Sequence, residues 1–276
     1  MPELPEVETT KNELKNIIIN KYINEILINT NSLRIPFKKK KIKNLKGSQI
    51  INISRRGKYI LITFSNNFIL LIHLGMSGRI ILKKKPLVLD KHDHFVLNIK
   101  KNFFIILNDP RRFGLVDTFH KDHISECTHL KFLGVEPLTN DFSFKYLKKI
   151  LSSRKSNIKN LLLNQQLIAG LGNIYACESL YESNISPFKA AKDLNEKEIS
   201  LLCLNIKKVL KKAIKSKGSS INDFKLPSGM LGNFQKKFKV YDREGKKCKN
   251  KKCKNKISKV FINARSTFYC CKCQKI

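Results

Sequence analysis

The sequence predicts an α+β protein of several domains: an N-terminal helix with a β-sandwich, then a helical domain, then a C-terminal hairpin. Three observations lead to this prediction. Short β-branched or aromatic runs separated by turn residues fill the first half of the chain, helical periodicity begins near residue 142, and five of the eight cysteines lie in the last 29 residues. The expected domain boundaries are 1–135, 136–234 and 235–276.

The first domain is expected to begin with a helix over residues 5–18, because Val7, Leu14 and Ile18 fall on one face at helical spacing. Short strands with frequent turns then predict a sandwich of antiparallel sheets. The expected strands are 22–28, 50–53, 59–64, 68–74, 95–99 and 103–107.

The second domain is expected to be helical. An apolar stripe around Leu147 predicts one helix, and a turn at 170–173 leads into another over 174–181. The spacing of Asp193 and Glu196 predicts a capping box at the start of the last helix of this domain.

The charge of the chain indicates a polyanionic partner. Lys and Arg number 55 against 21 acidic residues, a formal net charge of +34, while 42% hydrophobic residues suffice for a folded core. Nucleic acid is the usual partner of such an excess. A lysine-rich composition typical of an A+T-rich genome also accounts for part of it. Arginine is scarce, so the adjacent pairs Arg55-Arg56 and Arg111-Arg112 are the stronger indication of phosphate or base contacts.

Membrane and secretory functions are not expected. No apolar run approaches the ~18–20 residues of a membrane-spanning helix. The opening MPELPEVET is acidic and contains prolines, unlike a signal or transit peptide. We therefore expect a soluble cytoplasmic protein with no membrane partner.

The cysteine spacing C-x4-C-x16-C-x2-C predicts one structural Zn²⁺ held by four thiolates, a closed site without an open position for substrate. The candidate ligands are Cys248, Cys253, Cys270 and Cys273. Cys271 is an alternative to Cys270, although the spacing to Cys273 favours Cys270. Disulfides are the other possibility, disfavoured by a cytoplasmic location. The other three cysteines are expected to be packed in the interior: Cys127, Cys177 and Cys203.

The N-terminus offers a nucleophile. Removal of Met1 would expose the secondary amine of Pro2, and an α-amino group titrates near ~8, so much of it is unprotonated at neutral pH. Such an amine attacking an acetal-like carbon gives a covalent iminium ion. Glu3 lies beside it and can transfer protons. Many unrelated chains begin Met-Pro, so this feature is weak evidence by itself.

Seven motifs, in this order along the chain, make the evidence much stronger: PELPEVET at 2–9, RRGKY at 55–59, HLGMSG at 73–78, KHDH at 91–94, DPRRFG at 109–114, GLGNIYACE at 170–178 and ARSTFYCCKC at 264–273. The chain is similar to the bacterial formamidopyrimidine-DNA glycosylases, base-excision enzymes for oxidised purines. The resemblance implies a catalytic β-sandwich domain, a helix–two-turns–helix DNA-binding domain and a zinc-finger β-hairpin.

The resemblance implies a bifunctional glycosylase and AP lyase. Pro2 would attack the anomeric carbon of the damaged nucleotide and form a Schiff base, with Glu3 as proton donor and acceptor. Lys58 matches the lysine that assists β-elimination. Arg265 matches the arginine assigned to δ-elimination, where a cation stabilises the charge on a leaving phosphate.

The resemblance also implies the DNA contacts. Met76, Arg111 and Phe113 match the side chains that fill the space left by the flipped base. The residues implied to contact backbone phosphates are His92, Arg112, Lys155 and Asn173. Residues 218–237 match the loop that covers the flipped base. The expected partner is double-stranded DNA containing oxidised purines, bound by a monomer associated with the bacterial nucleoid.

One departure and two alternatives remain. The first cysteine pair is C-x4-C where many family members have C-x2-C. An endonuclease VIII-like enzyme would share the Pro2 chemistry but prefer oxidised pyrimidines; Leu4 and the Met76, Arg111 and Phe113 trio favour the purine enzyme. A catalytically silent zinc-ribbon DNA-binding protein would explain the charge and the cysteines, but not the match at all four catalytic positions.

Overall fold

The computed structural model describes residues 2–84, 88–100, 103–221 and 224–275. The chain divides into two compact units. The first contains Met1–Lys131 and Ser216–Asn233, and the second contains Phe132–Lys215 and Phe234–Ile276. The segment at 216–233 therefore belongs with the N-terminal part of the chain, and the cysteine hairpin belongs with the helices.

The first unit begins with the predicted helix, α1 (Leu4–Ile18), on which Val7, Leu14 and Ile18 are buried. A short helix, α2 (Lys39–Lys43), follows the first strand. The strands are β1 (Glu25–Ile28), β2 (Ile50–Arg56), β3 (Tyr59–Phe64), β4 (Phe68–His73), β5 (Arg79–Lys84), β6 (Asp93–Lys100), β7 (Phe103–Asn108) and β8 (Leu115–His120).

These strands form two four-stranded antiparallel sheets, in the orders β1-β6-β7-β5 and β2-β3-β4-β8. Phe95 and Leu97 of one sheet share a buried cluster with Leu70 and Ile72 of the other. Val96, between Phe95 and Leu97, joins a separate apolar cluster. Alternate residues therefore take opposite faces of a strand, and the predicted sandwich is confirmed.

Strands β5 and β8 were not predicted, for different physical reasons. β5 lies at a sheet edge and carries Lys83 and Lys84, as edge strands often do. β8 buries Asp117 and Thr118, which break an apolar pattern. Thr118 Oγ1 donates to the Ile69 carbonyl oxygen at 3.0 Å, and Asp117 accepts from Lys38, so tertiary partners compensate this burial.

The second unit is helical apart from one hairpin. Its elements are α3 (Phe144–Leu151), α4 (Ile158–Leu163), α5 (Asn173–Glu182), α6 (Glu196–Lys215), β9 (Ser258–Ile262) and β10 (Arg265–Tyr269). The predicted capping box is wrong by two residues: Asn195 and Glu198, not Asp193 and Glu196, exchange reciprocal hydrogen bonds of 2.9 Å. Asp193 instead ends a short 3₁₀ turn.

The hairpin packs on α5. Cys177 and Tyr181 share a buried cluster with Val240, Ile257 and Phe268. Cys177 is 1% exposed and lies among apolar side chains, so the expectation that it is a packed core thiol is confirmed.

Within the described part of the chain, no helix combines the length and the apolar character that crossing a bilayer requires.

Strand β2 gives a test of the sandwich core, because an irregularity between Ile50 and Asn52 interrupts the alternation of its faces. Ile53 is 3% exposed and Ile51 is 47% exposed on the same strand. We expect Ile53→Ala to lower the free energy of unfolding by about 2–5 kcal/mol, because it leaves a cavity. Ile51→Ala should change it by less than about 0.5 kcal/mol. Urea unfolding measures both, and equal effects would contradict the assigned core face.

Candidate functional site

Pro2 and Glu3 lie at the N-terminal end of α1, where buried polar groups are hydrogen-bonded to one another. Glu3 is the N-cap and forms a reciprocal capping box with Glu6. Both carboxylates are almost fully buried, Glu3 at 2% and Glu6 at 1% exposure. Glu6 Oε2 accepts from the Glu3 N–H at 2.9 Å, and its Oε1 accepts from the Ser219 N–H at 2.7 Å and the Ser219 hydroxyl at 3.0 Å. Sequence reasoning did not single out Glu6, although a Glu three residues after an N-cap is a capping-box signal.

Lys58 lies in the two-residue turn between β2 and β3, where Arg56 pairs with Tyr59. Gly57 takes a φ of +56°, a left-handed conformation that favours glycine in such a turn. The Lys58 side chain is nearly buried, at 9% exposure. The turn therefore presents a largely desolvated cation in the same unit as Glu3.

His73, which sequence reasoning left without a role, borders this turn. Its ring lies 4.8 Å from the Tyr59 ring, and its Nδ1 accepts the Gly75 N–H at 2.9 Å. Burial, with Arg34 and Lys58 adding positive charge nearby, lowers the pKa of His73 to about 3. His73 is therefore neutral at physiological pH, with its proton on Nε2.

The loop tips that follow β4 and β7 expose large side chains. Met76 is 44% and Phe113 is 43% exposed, so neither is a core residue. The guanidinium carbon of Arg111 lies 4.8 Å from the centre of the Phe113 ring, within cation–π distance. An apolar thioether, an aromatic ring and a guanidinium are thus displayed to solvent in one unit.

Asp109 holds these two loops together. Its carboxylate accepts the Ser77 hydroxyl and the Gly114 N–H, both at 2.6 Å, and it is fully buried. Gly75 takes a φ of +67°, and a Cβ there would lie 2.4 Å from the Phe113 carbonyl carbon. The close approach of the two loops therefore explains the first glycine of HLGMSG, Gly75, and the aspartate of DPRRFG, Asp109.

The implied phosphate contacts of the first unit lie beside this loop pair. Arg112 is exposed and has a φ of +55°, a strained conformation of the kind found at functional sites. His92 is half-buried, and its carbonyl oxygen accepts the Asp109 N–H at 3.0 Å. The neighbouring His94 is 1% exposed and donates from Nε2 to the Asp109 carbonyl oxygen at 3.0 Å, and burial lowers its pKa. His94 is thus a structural residue.

The remaining candidates lie in the second unit. Asn173 is the first residue of α5, one residue before the expected start of this helix, and Gly172 is its N-cap, with no side chain to form a capping bond. The first N–H groups of a helix lack intrahelical acceptors and attract anions. Lys155 is exposed in the loop before α4, and Arg265 is exposed at the start of β10. The first and second units therefore divide the implied site residues between them.

Three polar residues organise the Arg265 hairpin, and sequence reasoning missed two of them. Lys159 is fully buried, and its Nζ donates to the Ser266 carbonyl oxygen at 3.2 Å. Asn173 Nδ2 donates to the same oxygen at 2.8 Å. Glu178, at 2% exposure, accepts the backbone N–H groups of residues 239, 240 and 241 at 2.8–3.1 Å. Lys159 resembled any other lysine of this basic chain, because burial is not visible in the sequence.

The four predicted cysteine ligands come together. The Sγ atoms of Cys248, Cys253, Cys270 and Cys273 all lie within 4.8 Å of one another, with Cys248 to Cys273 at 3.8 Å and Cys253 to Cys270 at 3.6 Å. Thiolates at about 2.3 Å from a tetrahedral Zn²⁺ lie about 3.8 Å apart. The donor set and spacing therefore fit a tetrahedral metal site.

The surroundings of the cluster also fit a metal. Asn250 donates its backbone N–H to Cys248 Sγ at 3.5 Å, as outer-shell groups do at metal thiolates. Burial raises the pKa of Cys270 to about 12, so without a cation this thiol keeps its proton at neutral pH. Cys271 is exposed and lies outside the cluster, whereas Cys270 is buried within it, so this arrangement favours Cys270 over Cys271 as the ligand.

Similar solved structures define the class of protein. The chain matches a mutant of Lactococcus lactis FPG in a complex with DNA containing Fapy-dG, with a TM-score of 0.92, 36% identity and 100% coverage of both chains. It also matches MutM (FPG) from Thermus thermophilus, with a TM-score of 0.88, 32% identity and coverage of 99% and 98%. The fold is that of a DNA glycosylase.

The family follows from sequence comparison. Residues 1–116 match the model of the formamidopyrimidine-DNA glycosylase N-terminal domain, and residues 133–225 match that of its H2TH domain. The formamidopyrimidine-DNA glycosylase of Zymomonas mobilis is 45% identical over 100% of both chains, and that of a Wolbachia endosymbiont of Brugia malayi is 44% identical over 99% of this chain and 100% of its own. This chain belongs to the formamidopyrimidine-DNA glycosylase family.

The Asp109 carboxylate can be tested directly. Asp109→Asn replaces an acceptor-only group with an amide that cannot accept both buried donors, so we expect the free energy of unfolding to fall by about 1–3 kcal/mol. Asp122→Asn is the matched control, since that side chain is 80% exposed. Urea unfolding checks both variants. An unchanged stability of the Asp109 variant would show that the two loops are held by other contacts.

Proposed function

We propose that this chain excises oxidised purines from double-stranded DNA and then cleaves the strand, with the amine of Pro2 as the nucleophile. By family the protein is a base-excision DNA glycosylase. The observation that carries the assignment to Pro2 is the end of α1, where Pro2 precedes a buried Glu3 whose backbone is fixed by Glu6. The positive end of the α1 dipole favours the unprotonated amine.

The first step is nucleophilic substitution at the anomeric carbon. The Pro2 nitrogen forms a bond to C1′, the glycosidic bond breaks, and its electron pair leaves with the base, which takes up a proton. Opening of the sugar ring gives the iminium ion, an electron sink. Glu3, which is buried and next to Pro2 in the chain, would donate and accept these protons.

Strand cleavage follows by elimination. Loss of the C2′ proton from the iminium ion expels the 3′ phosphate, and a second elimination expels the 5′ phosphate. Lys58, nearly buried in its turn, would assist the first elimination. Arg265, exposed on a hairpin held by Lys159 and Asn173, would stabilise the charge of the phosphate that leaves in the second.

The exposed loop tips would support the flipped-out base. Met76 and Phe113 would occupy the vacated stack, and Arg111 would bond the orphaned partner base. Their exposure is the feature that supports this role, because an apolar side chain that fills a DNA void is accessible in the free protein. Residues 218–237, of which 222 and 223 lie outside the described part of the chain, would cover the flipped base.

Phosphate contacts would anchor the DNA. His92 and Arg112 lie beside the loop pair, and Lys155 and the N-terminus of α5 at Asn173 lie in the second unit. Lysine elsewhere adds sequence-independent affinity that weakens with salt. The protein would act as a monomer in the cytoplasm, associated with the nucleoid.

Zinc would be the metal of the cysteine cluster. Four thiolates leave no open position, so bound Zn²⁺ would stabilise the hairpin and take no part in the reaction. The segment 235–276 carries 13 Lys, two Arg and two acidic residues, so the folded hairpin would present positive charge to DNA.

Oxidised pyrimidines are a second substrate class to measure. One similar structure is wild-type L. lactis FPG in a complex with DNA containing an oxidised pyrimidine. We expect faster excision of 8-oxoguanine opposite cytosine than of an oxidised pyrimidine, and the reverse order would favour the endonuclease VIII-like alternative.

Borohydride trapping tests the nucleophile. The protein lacking Met1 should form a covalent complex with duplex DNA containing 8-oxoguanine. Pro2→Gly should lower base release and strand cleavage together, by about 100-fold or more, because it replaces the secondary amine of a covalent catalyst. Affinity for the same duplex should stay within about threefold, since Pro2 is one contact of an interface dominated by phosphates.

The matched control is the same chain with Met1 retained, verified by mass spectrometry. Its Pro2 side chain is unchanged but the nitrogen is an amide, so it should not be trapped. Trapping of this form, or loss of DNA binding by Pro2→Gly equal to its loss of activity, would refute Pro2 as the nucleophile.

The metal proposal is tested by elemental analysis. The purified protein should contain one zinc per chain, and Cys270→Ser should lose the metal and at least about tenfold in DNA affinity, because structural zinc supplies folding energy. Cys271→Ser is the matched control and should change neither quantity. Full DNA affinity without metal would show that the hairpin does not need it.

A further inference from the structure

One side chain, Arg55, connects the Lys58 turn to α1. Its Nη1 donates to the Gly57 carbonyl oxygen at 2.8 Å, and its Nε donates to Glu8 Oε2 at 2.7 Å. Gly57 is the first residue of the two-residue turn that carries Lys58. Glu8 lies on the helix that begins directly after Pro2 and Glu3. A single guanidinium thus bonds both elements that carry the proposed chemistry of the first unit.

This connection is largely shielded from water. The side chain of Arg55 is 9% exposed and that of Glu8 is 19% exposed. Charge-assisted hydrogen bonds are stronger than neutral ones, and screening by salt is weaker at partly buried pairs. Burial alone would raise the pKa of Glu8, but hydrogen bonds from Lys11 and Arg55 outweigh it and hold the pKa below its usual range. Glu8 therefore remains charged, and the ion pair intact, at neutral pH.

Arginine has a property here that lysine lacks. The guanidinium places two N–H donors on different nitrogens in a rigid plane, so one donor reaches the turn while the other reaches the helix. A lysine ammonium keeps the charge but concentrates its donors on one atom. The arrangement therefore depends on the rigid shape of the guanidinium as well as on its charge.

We propose that Glu8 and Arg55 are positioning residues that hold the Lys58 turn in register with the N-terminal end of α1. This inference rests on the proposed function, in which Pro2 forms the iminium ion and Lys58 assists the elimination that follows. In this role Arg55 acts through position and takes no part in bond making. It fixes the distance between the element that holds the covalent intermediate and the element that acts on it.

The expected effect falls on one step. Displacing a catalytic group by about 1 Å can cost about 100-fold in rate. A shift of the Lys58 turn relative to α1 should slow β-elimination, whereas attack by Pro2 depends on α1 and its capping box. Breaking the ion pair between Glu8 and Arg55 should therefore leave the rate of Schiff-base formation unchanged and lower the rate of strand cleavage.

The experiment uses single turnover on a duplex with a preformed abasic site, so that base release is bypassed. Borohydride trapping and strand cleavage are measured in parallel on the full-length protein. Arg55→Lys should lower the cleavage rate about tenfold or more, with trapping and the Kd for the duplex within about twofold of the unaltered protein. Glu8→Gln should give the same split to a smaller degree.

Lys11→Met is the matched control. Lys11 also bonds Glu8, at 2.7 Å, but it lies on α1 itself, so its removal takes a cation from Glu8 without touching the turn. Its cleavage rate should match that of the unaltered protein. Thermal unfolding of each variant, measured alongside, accounts for any change in stability.

Three outcomes overturn the proposal. Cleavage by Arg55→Lys at the unaltered rate would show that the turn holds its position without the guanidinium. Equal losses of trapping and cleavage would show that the pair only supports the fold. If Lys11→Met lowered the cleavage rate as much as Glu8→Gln, the loss would be due to the charge balance at Glu8 and not to the bond between Glu8 and Arg55. Failure of the unaltered protein to be trapped would refute the proposed function instead, independently of Arg55.

Discussion

The N-terminal end of α1 depends on one buried carboxylate. Glu6 is 1% exposed and accepts three hydrogen bonds, one from the Glu3 N–H and two from Ser219, which lies 213 residues further along the chain. A buried charge is tolerated only when it is bonded to this extent. Displacement of the segment at 216–233 would leave Glu6 without two of its donors. Gly218, with a φ of +74°, makes the approach possible, because a Cβ there would lie 2.9 Å from Glu6 Oε1. The geometry around Pro2 is thus coupled to a distant part of the chain.

The same constraint recurs at two other places where the structure exposes a candidate functional side chain. Two loops expose Met76, Arg111 and Phe113, and Asp109 holds these loops by accepting a hydrogen bond from each. Arg265 is accessible because buried Lys159 and Asn173 both bond Ser266. In each place, buried polar side chains form hydrogen bonds that fix the segment carrying the exposed side chains. Preorganisation of this kind lowers the reorganisation that binding or catalysis would otherwise require.

The positive charge of the chain has two distinct parts. Most of the excess of 55 basic over 21 acidic residues is lysine, and much of it is exposed, which suits diffuse attraction to a polyanion. A smaller set is placed by specific contacts: Lys58 in a glycine-dependent turn, Arg55 between that turn and α1, and Lys159 in the interior of the second unit. These residues act through their positions, so lysines elsewhere in the chain could not replace them.

Sequence alone was sufficient to predict the helix of α1, six of the eight sandwich strands, the family and the clustering of four cysteines, because these depend on local periodicity or on spacing within motifs. It did not reveal β8, whose buried Asp117 and Thr118 are compensated by partners elsewhere in the chain, and it misplaced the cap of α6 by two residues. It singled out Arg55 for phosphate or base contacts, whereas Arg55 bonds Glu8 and Gly57 inside the protein. It offered no reason to separate Lys159 or Glu178 from other charged residues. Which charges are buried and bonded became visible only in the folded chain, because burial and hydrogen-bond partners arise from contacts between segments far apart in sequence.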